Sequence, residues 1–168
     1  MPQSERIKNM QIRRLTIEDV ETFADFTERY TEMGYDDAYN FFLECLEQPS
    51  FFALGAFSND GLIGCIDAEI APDTDHLNGI GTTLVKPDRR GEGIGFRLKK
   101  TALALLDTLS MSDTFALVVD PSGTTEDINS RLGFVVTNRY GGITTMKRPP
   151  LAGIDQTTTD FDDQQLAL

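Results

Sequence analysis

The stretch KPDRRGEGIGFRLKK, residues 86 to 100, sets Gly91, Gly93 and Gly95 among six basic side chains in a chain of formal net charge −12. Lys86, Arg89, Arg90, Arg97, Lys99 and Lys100 outnumber Asp88 and Glu92 by four charges. The alternating segment IGTTLV ends at Lys86-Pro87 and helical spacing begins soon after, so the glycines occupy a strand-to-helix turn. The first N–H groups of a helix lack internal acceptors and carry the positive end of its dipole, which suits them to an anion. Glycine lets the backbone approach a phosphate and take conformations closed to other residues. A phosphate-bearing ligand fits this composition.

Two phosphate loops are excluded by what the stretch lacks. A dinucleotide loop needs a third glycine three residues after a G-x-G, and Phe96 or Leu98 stands there. The P-loop pattern G-x-x-x-x-G-K-[ST] occurs nowhere. The acidic balance elsewhere argues against nucleic acid as a partner and favours cationic ligands. Cys45 and Cys65 lack the spacing of a redox or zinc pair and are expected to be buried thiols; no metal site is expected.

The elements that must position this turn follow from periodicity. At 168 residues, with 40% hydrophobic and 25% charged content, the chain suits one globular domain. Residues 1–10 read as a polar lead-in, 11–148 as the domain, and 149–168, with four Asp and no Lys or Arg, as an acidic flexible tail. MQIRRLT alternates like a strand, and Thr16 with Asp19 suggests a cap before a helix carrying Val20, Phe23, Ala24, Phe26, Thr27 and Tyr30. DDAYNFFLECLEQ reads as a second helix with Phe41, Phe42, Cys45 and Leu46 on its apolar side. FFALGAF, GLIGCIDAEI and NGIGTTLVK predict three antiparallel strands, the first two joined through Asp60-Gly61. A helix over 93–109 presents Ile94, Leu98, Ala102, Leu105 and Leu109, and TFALVV follows as a buried strand. Such a strand-helix-strand crossover needs parallel neighbours. A short helix over 125–132, the strand GFVVTN, the turn RYGG and the strand ITTMKR complete the pattern. No apolar run is long enough to span a bilayer and no secretory signal opens the chain, so a cytoplasmic protein without a membrane partner is expected.

R-x-x-G-x-G at Arg90, Gly93 and Gly95, preceded by a strand ending LVKP and followed by an amphipathic helix, resembles the acetyl-coenzyme A site of the GNAT superfamily of N-acetyltransferases. The likeness extends over about residues 11–148 and includes RLGF at Arg131 to Phe134, similar to the family's late motif. It implies an α+β fold, the GNAT-type acyltransferase fold, with a mixed, mainly antiparallel twisted sheet flanked by helices. It implies acetyl-coenzyme A as cosubstrate, held by the main chain of Leu84 and Val85 and by the turn Arg90, Gly91, Glu92, Gly93, Ile94, Gly95 and Phe96. It also admits a homodimer.

The resemblance further implies direct transfer of acetyl to an amine of a small molecule or peptide, without a covalent enzyme intermediate. The amine must lose a proton, the carbonyl oxygen must be stabilised as charge develops, and the thiolate must leave. A backbone N–H of Leu84 or Val85 is the implied oxyanion donor. Many members place a tyrosine where this chain has Asn129, whose amide can hydrogen-bond the coenzyme but donates no titratable proton; Tyr140, in the turn NRYGG, is a candidate substitute acid. Ser122 stands where the family often has an asparagine near the coenzyme. Alternation puts Cys65, Asp67 and Glu69 on one strand face, making Asp67 and Glu69 candidate bases, with Asp120 a third and solitary His76 a fourth. Glu28, Tyr30, Tyr35, Asp36 and Tyr39 fall where the family forms acceptor pockets, a wall suited to a cationic amine, while the helical spacing of Tyr30 and Tyr39 equally suits the core. Loss of the tyrosine at 129 leaves a non-catalytic acyl-coenzyme A binding or sensing domain as the alternative.

Overall fold

The structure, a computed structural model, describes residues 9–151; the rest of the lead-in and of the tail lies outside the described residues. In chain order the strands and helices are β1 (Gln11–Arg14), α1 (Val20–Tyr30), α2 (Tyr35–Leu46), β2 (Phe51–Ser58), β3 (Gly61–Glu69), β4 (Asn78–Ile80), β5 (Leu84–Val85), α3 (Ile94–Leu109), β6 (Thr114–Val118), α4 (Thr124–Arg131), β7 (Val135–Tyr140) and β8 (Ile143–Arg148). The strands follow the order β1-β2-β3-β4-β6-β8-β7, with β5 also on β3. This is the expected α+β arrangement, among the described residues a mostly antiparallel mixed sheet of eight strands with four α-helices. The described residues fall into two compact units, 9–67 with 82–99, and 68–81 with 100–151.

In the first unit, Thr16 and Asp19 form the expected capping box, but it caps a 3-10 turn, Ile17–Asp19, that leads into α1. The Asp19 carboxylate accepts from the Thr16 N–H at 2.9 Å and from both terminal nitrogens of Arg13, the nearer at 2.6 Å. That guanidinium holds the Asp19 carboxyl below its usual range. Leu15, Val20, Phe26, Phe42, Ala53, Leu62 and Cys65 form the buried cluster, with Phe23 stacked on Phe42 at 4.2 Å between ring centroids. Burying a side chain such as Phe42 contributes about 1.5–3 kcal/mol. Phe41, expected beside it, is 45% exposed, because adjacent helical residues point about 100° apart and the buried row passes through Ala38 and Phe42. Cys45 is half-buried, so only Cys65 matches the expected buried thiol.

The strand expected across NGIGTTLVK is two segments. Ala68 pairs with Ile80 while Cys65 pairs with Leu84, so three steps along β3 face four along its partner. One extra residue breaks the ladder over 81–83. Gly64 lets a helix come close to β3 here: a Cβ on it would meet the Leu84 carbonyl oxygen at 3.1 Å, Leu98 at 3.1 Å and Ile94 at 3.2 Å.

In the second unit β4 runs parallel to β6, as the crossover requires, and β6 pairs antiparallel with β8. The β6 strand alternates, with Ala116 and Val118 buried and Leu117 57% exposed, rather than being buried throughout. On α3 the buried residues include Leu98, Ala102, Leu103 and Leu106, while Leu109 reaches solvent, so the inward stripe drifts from the expected one toward Leu106. β7 extends through Tyr140 and turns at Gly141-Gly142. Asn78 pins the loop over 71–77: its amide donates to the Ser112 carbonyl at 3.0 Å and accepts from the Ala71 N–H at 2.8 Å. Arg148, buried, makes a bidentate pair with Asp107 at 3.1 and 2.5 Å.

Candidate coenzyme and active site

The turn between β5 and α3 is built by backbone geometry. Pro87–Arg89 forms a single 3-10 turn after Lys86, and Gly91 and Gly93 then take φ of +81° and +80°, the left-handed region that other residues enter at a cost. A Cβ at either position would meet nothing within 4 Å, so conformation rather than space demands glycine there. The first bond of α3 runs from the Arg97 N–H to the Gly93 carbonyl at 3.0 Å. The N–H groups of Ile94 and Gly95 precede it and have no helical acceptor. Gly95 leaves open a space that a Cβ would share with Thr83 and Val85 at 3.5 and 3.6 Å.

The basic residues are less uniform than their types suggest. Arg90, exposed, donates from Nε to the Val85 carbonyl at 3.2 Å and so ties the turn to the strand end. Lys86 pairs with Asp88 at 3.6 Å. Arg89 is buried, its Nε donating to Glu92 at 2.9 Å and its Nη1 lying 3.3 Å from the Asp60 carboxylate. The Glu92 side chain is therefore turned inward onto Arg89, which leaves only its main chain for a ligand. Lys99 is also buried, and burial lowers its ammonium to about 8.

These residues fit the pyrophosphate and pantetheine of a coenzyme. Two helix-end amides and the exposed Arg90 are the groups here that an anion would meet, and Gly95 leaves space beside Val85. The Thr83 hydroxyl is buried without a hydrogen-bond partner among the described residues, a group that a ligand would satisfy.

The catalytic candidates sit in different settings. Asp67 is half-buried on β3, and desolvation raises its carboxyl above the usual range. Cys65, on the same strand, is pushed up to about 12 by burial and by Asp67, so it stays a thiol. Glu69, two residues on, is exposed. Asp120 accepts four hydrogen bonds, from the N–H and hydroxyl of Ser122 at 2.8 and 2.6 Å and from those of Thr125, both at 3.0 Å. They hold its pKa far below the usual range and give it the work of fastening the start of α4, so it is a poor base. His76 is exposed and sits 2.6 Å from Asp73. Tyr140 is 84% exposed.

Asn129 departs from its expected role. Its side chain has no exposed surface and its Nδ2 lies 3.6 Å from the Met146 sulfur, so it belongs to the core of its unit rather than to a ligand surface. The features that sequence reasoning missed are the inward Arg89, the buried Lys99 and the Thr83 hydroxyl. No sequence pattern marks the last, because the break at 81–83 depends on register between strands.

Comparison with known proteins gives a family. Residues 16–129 match the family model described as acetyltransferase (GNAT) family. The chain is similar to a PaiA N-acetyltransferase from Thermoplasma acidophilum solved in complex with coenzyme A, with a TM-score of 0.68 and 21% identity over 83% of this chain and 98% of that one. It is similar to the ribosomal-protein-S18-alanine N-acetyltransferase from Escherichia coli, with a TM-score of 0.70 and 14% identity over 87% and 97%. A spermidine N-acetyltransferase chimera from Vibrio cholerae and hSSAT gives a TM-score of 0.69 and 15% identity over 84% and 96%. No curated protein matches the chain. With a family model covering residues 16–129, the chain belongs to the GNAT acetyltransferase family, acyltransferases that use acetyl-coenzyme A as cosubstrate.

Proposed function

We propose that the protein moves the acetyl group of acetyl-coenzyme A directly to an amine of a small molecule or peptide. The observation that carries this reading is the pair of positive-φ glycines, Gly91 and Gly93, ahead of the Ile94 and Gly95 N–H groups. The turn Arg90 to Phe96 holds the pyrophosphate, and the main chain of Leu84 and Val85 holds the pantetheine arm and faces the carbonyl oxygen as charge develops there. Asp67 is the base: a carboxylate whose affinity for a proton is raised by burial accepts one from an ammonium more readily than an ordinary aspartate. Nitrogen attacks the carbonyl carbon, the carbon–sulfur bond breaks, and the thiolate leaves. A thiol pKa of about 8.5 makes that departure feasible near neutrality.

A cationic acceptor is supported by a cavity of about 460 Å³ in the first unit. Phe26, Tyr30 and Tyr35 line it together with Glu21, Asp25 and Asp60. Its two basic residues are matched, Arg29 with Asp25 at 3.1 Å and Lys86 with Asp88 at 3.6 Å, whereas Glu21 has no ion pair among the described residues. Desolvation, and after it the neighbouring acidic groups with Glu21 foremost, raises the Tyr35 phenol. Aromatic faces beside carboxylates suit an ammonium. A thiol-release assay with acetyl-coenzyme A across mono-, di- and polyamines and peptide amines tests this, with turnover expected for cationic amines. Coenzyme binding without turnover on any amine would instead mark a non-catalytic acyl-coenzyme A binding domain.

A further inference from the structure

We propose that Arg89 is a positioning residue for the coenzyme, setting the shape of the glycine turn through Glu92 and the β2–β3 hairpin rather than touching phosphate itself. This rests on the reading that the turn from Arg90 to Phe96 takes the pyrophosphate. A turn with glycines at 91 and 93 gains conformational freedom when the ligand is absent, and preorganising it needs anchors outside those glycines. Arg89 supplies them. Its guanidinium side chain is 6% exposed, with Nε 2.9 Å from the Glu92 carboxylate, whose side chain is 8% exposed. That pair brackets Arg90 and Gly91. Nη1 reaches the Asp60 carboxylate at 3.3 Å and the Ser58 hydroxyl at 3.5 Å, fastening the bracket to the hairpin.

The charge pattern gives the same assignment. A phosphate-binding arginine keeps its fork free for the ligand, whereas this one is engaged by two carboxylates and buried. A buried ion pair contributes little net stability against a well-packed apolar replacement, so its use is to fix the geometry of the turn. Arg90, next in the chain and exposed, remains the candidate for direct phosphate contact.

The test is calorimetric titration of coenzyme A into the unmodified protein and into Glu92→Gln, Arg89→Met, Arg89→Lys and Asp60→Asn, each at a temperature where circular dichroism shows it folded. Positioning predicts that Glu92→Gln weakens binding about tenfold, or about 1.4 kcal/mol, although the substitution removes a negative charge near the ligand. Arg89→Met weakens it comparably, Arg89→Lys recovers part of the loss, and the double variant Arg89→Met with Glu92→Gln is no weaker than the poorer single one, as for residues acting as one unit. Asp60, whose side chain is 68% exposed, provides a variant that leaves the core untouched, and its loss is expected to weaken binding to a lesser degree. Direct phosphate contact by Arg89 predicts the opposite sign for Glu92→Gln, tighter binding from a released cation, and that result would overturn the assignment. Unchanged affinity in all variants, with the unmodified protein binding normally, would overturn it while leaving the coenzyme site intact. No binding by the unmodified protein would overturn both.

Discussion

The Nε of Arg90 donates to the Val85 carbonyl at 3.2 Å, so the side chain at the start of the glycine turn closes back on the strand that precedes it. Strand end and helix start are thereby held together before any ligand arrives. Replacing Arg90 by Glu and Gly93 by Val breaks both halves of this arrangement. The backbone at 93 is left-handed, which costs a non-glycine residue roughly 1–2 kcal/mol. No atom lies within 4 Å of the added Cβ, so the fold is retained. Coenzyme A is expected to raise the melting temperature of the unmodified protein and to leave that of the double variant unchanged.

The Asp67 carboxyl is raised from 3.8 by desolvation. As a base it works only when ionised, so kcat/KM is lost as pH falls through this raised value and holds above it. Asp67→Asn is expected to lower turnover by about 10²–10⁴-fold and to remove that acidic limb from the rate profile. A variant retaining full rate would transfer the role to Glu69.

Lys99 illustrates the opposite sign. Burial lowers its ammonium from 10.5 to about 8, so between these values the unfolded chain binds this proton more fully than the folded one. Stability therefore rises as pH climbs from about 8 toward 10.5, and the burial cost is fully present below about 8. Lys99→Met removes that cost. In parallel scans its melting temperature relative to that of the unmodified protein is expected to fall as pH rises from about 8 toward 10.5.

The second unit has its own sensitive pair. Arg148 is 2% exposed and its charge is matched by Asp107. Asp107→Ala leaves a buried guanidinium without its carboxylate, at a cost of about 3–5 kcal/mol. Thermal denaturation is expected to show a drop of about 10 °C for a chain of this size. A drop of only a degree or two would mean that solvent reaches Arg148.

What could be read in the residues was what short sequence intervals determine. Arg90, Gly93 and Gly95 lie in one turn, and the strand before and helix after are local patterns, so the turn and the family could be reached from the sequence. Arg89 could not be separated from Arg90, because its partner Asp60 is 29 residues away on a hairpin. Spacing places Asn129 on a short helix but does not say which way it faces; the structure turns it inward onto Met146. Phe41 and Phe42 are equally apolar, and only the packing of Ala38, Phe42 and Phe23 decides which enters the core. The break at 81–83 depends on register between strands, a quantity that single-strand periodicity does not carry.

Helix-end amides meeting a diphosphate are observable directly. In a 15N-labelled sample titrated with coenzyme A, the largest amide shifts are expected at Gly93, Ile94 and Gly95, saturating with a single affinity. Shifts that leave these three amides in place and cluster elsewhere, or no shifts at millimolar coenzyme, would contradict the assignment of the turn.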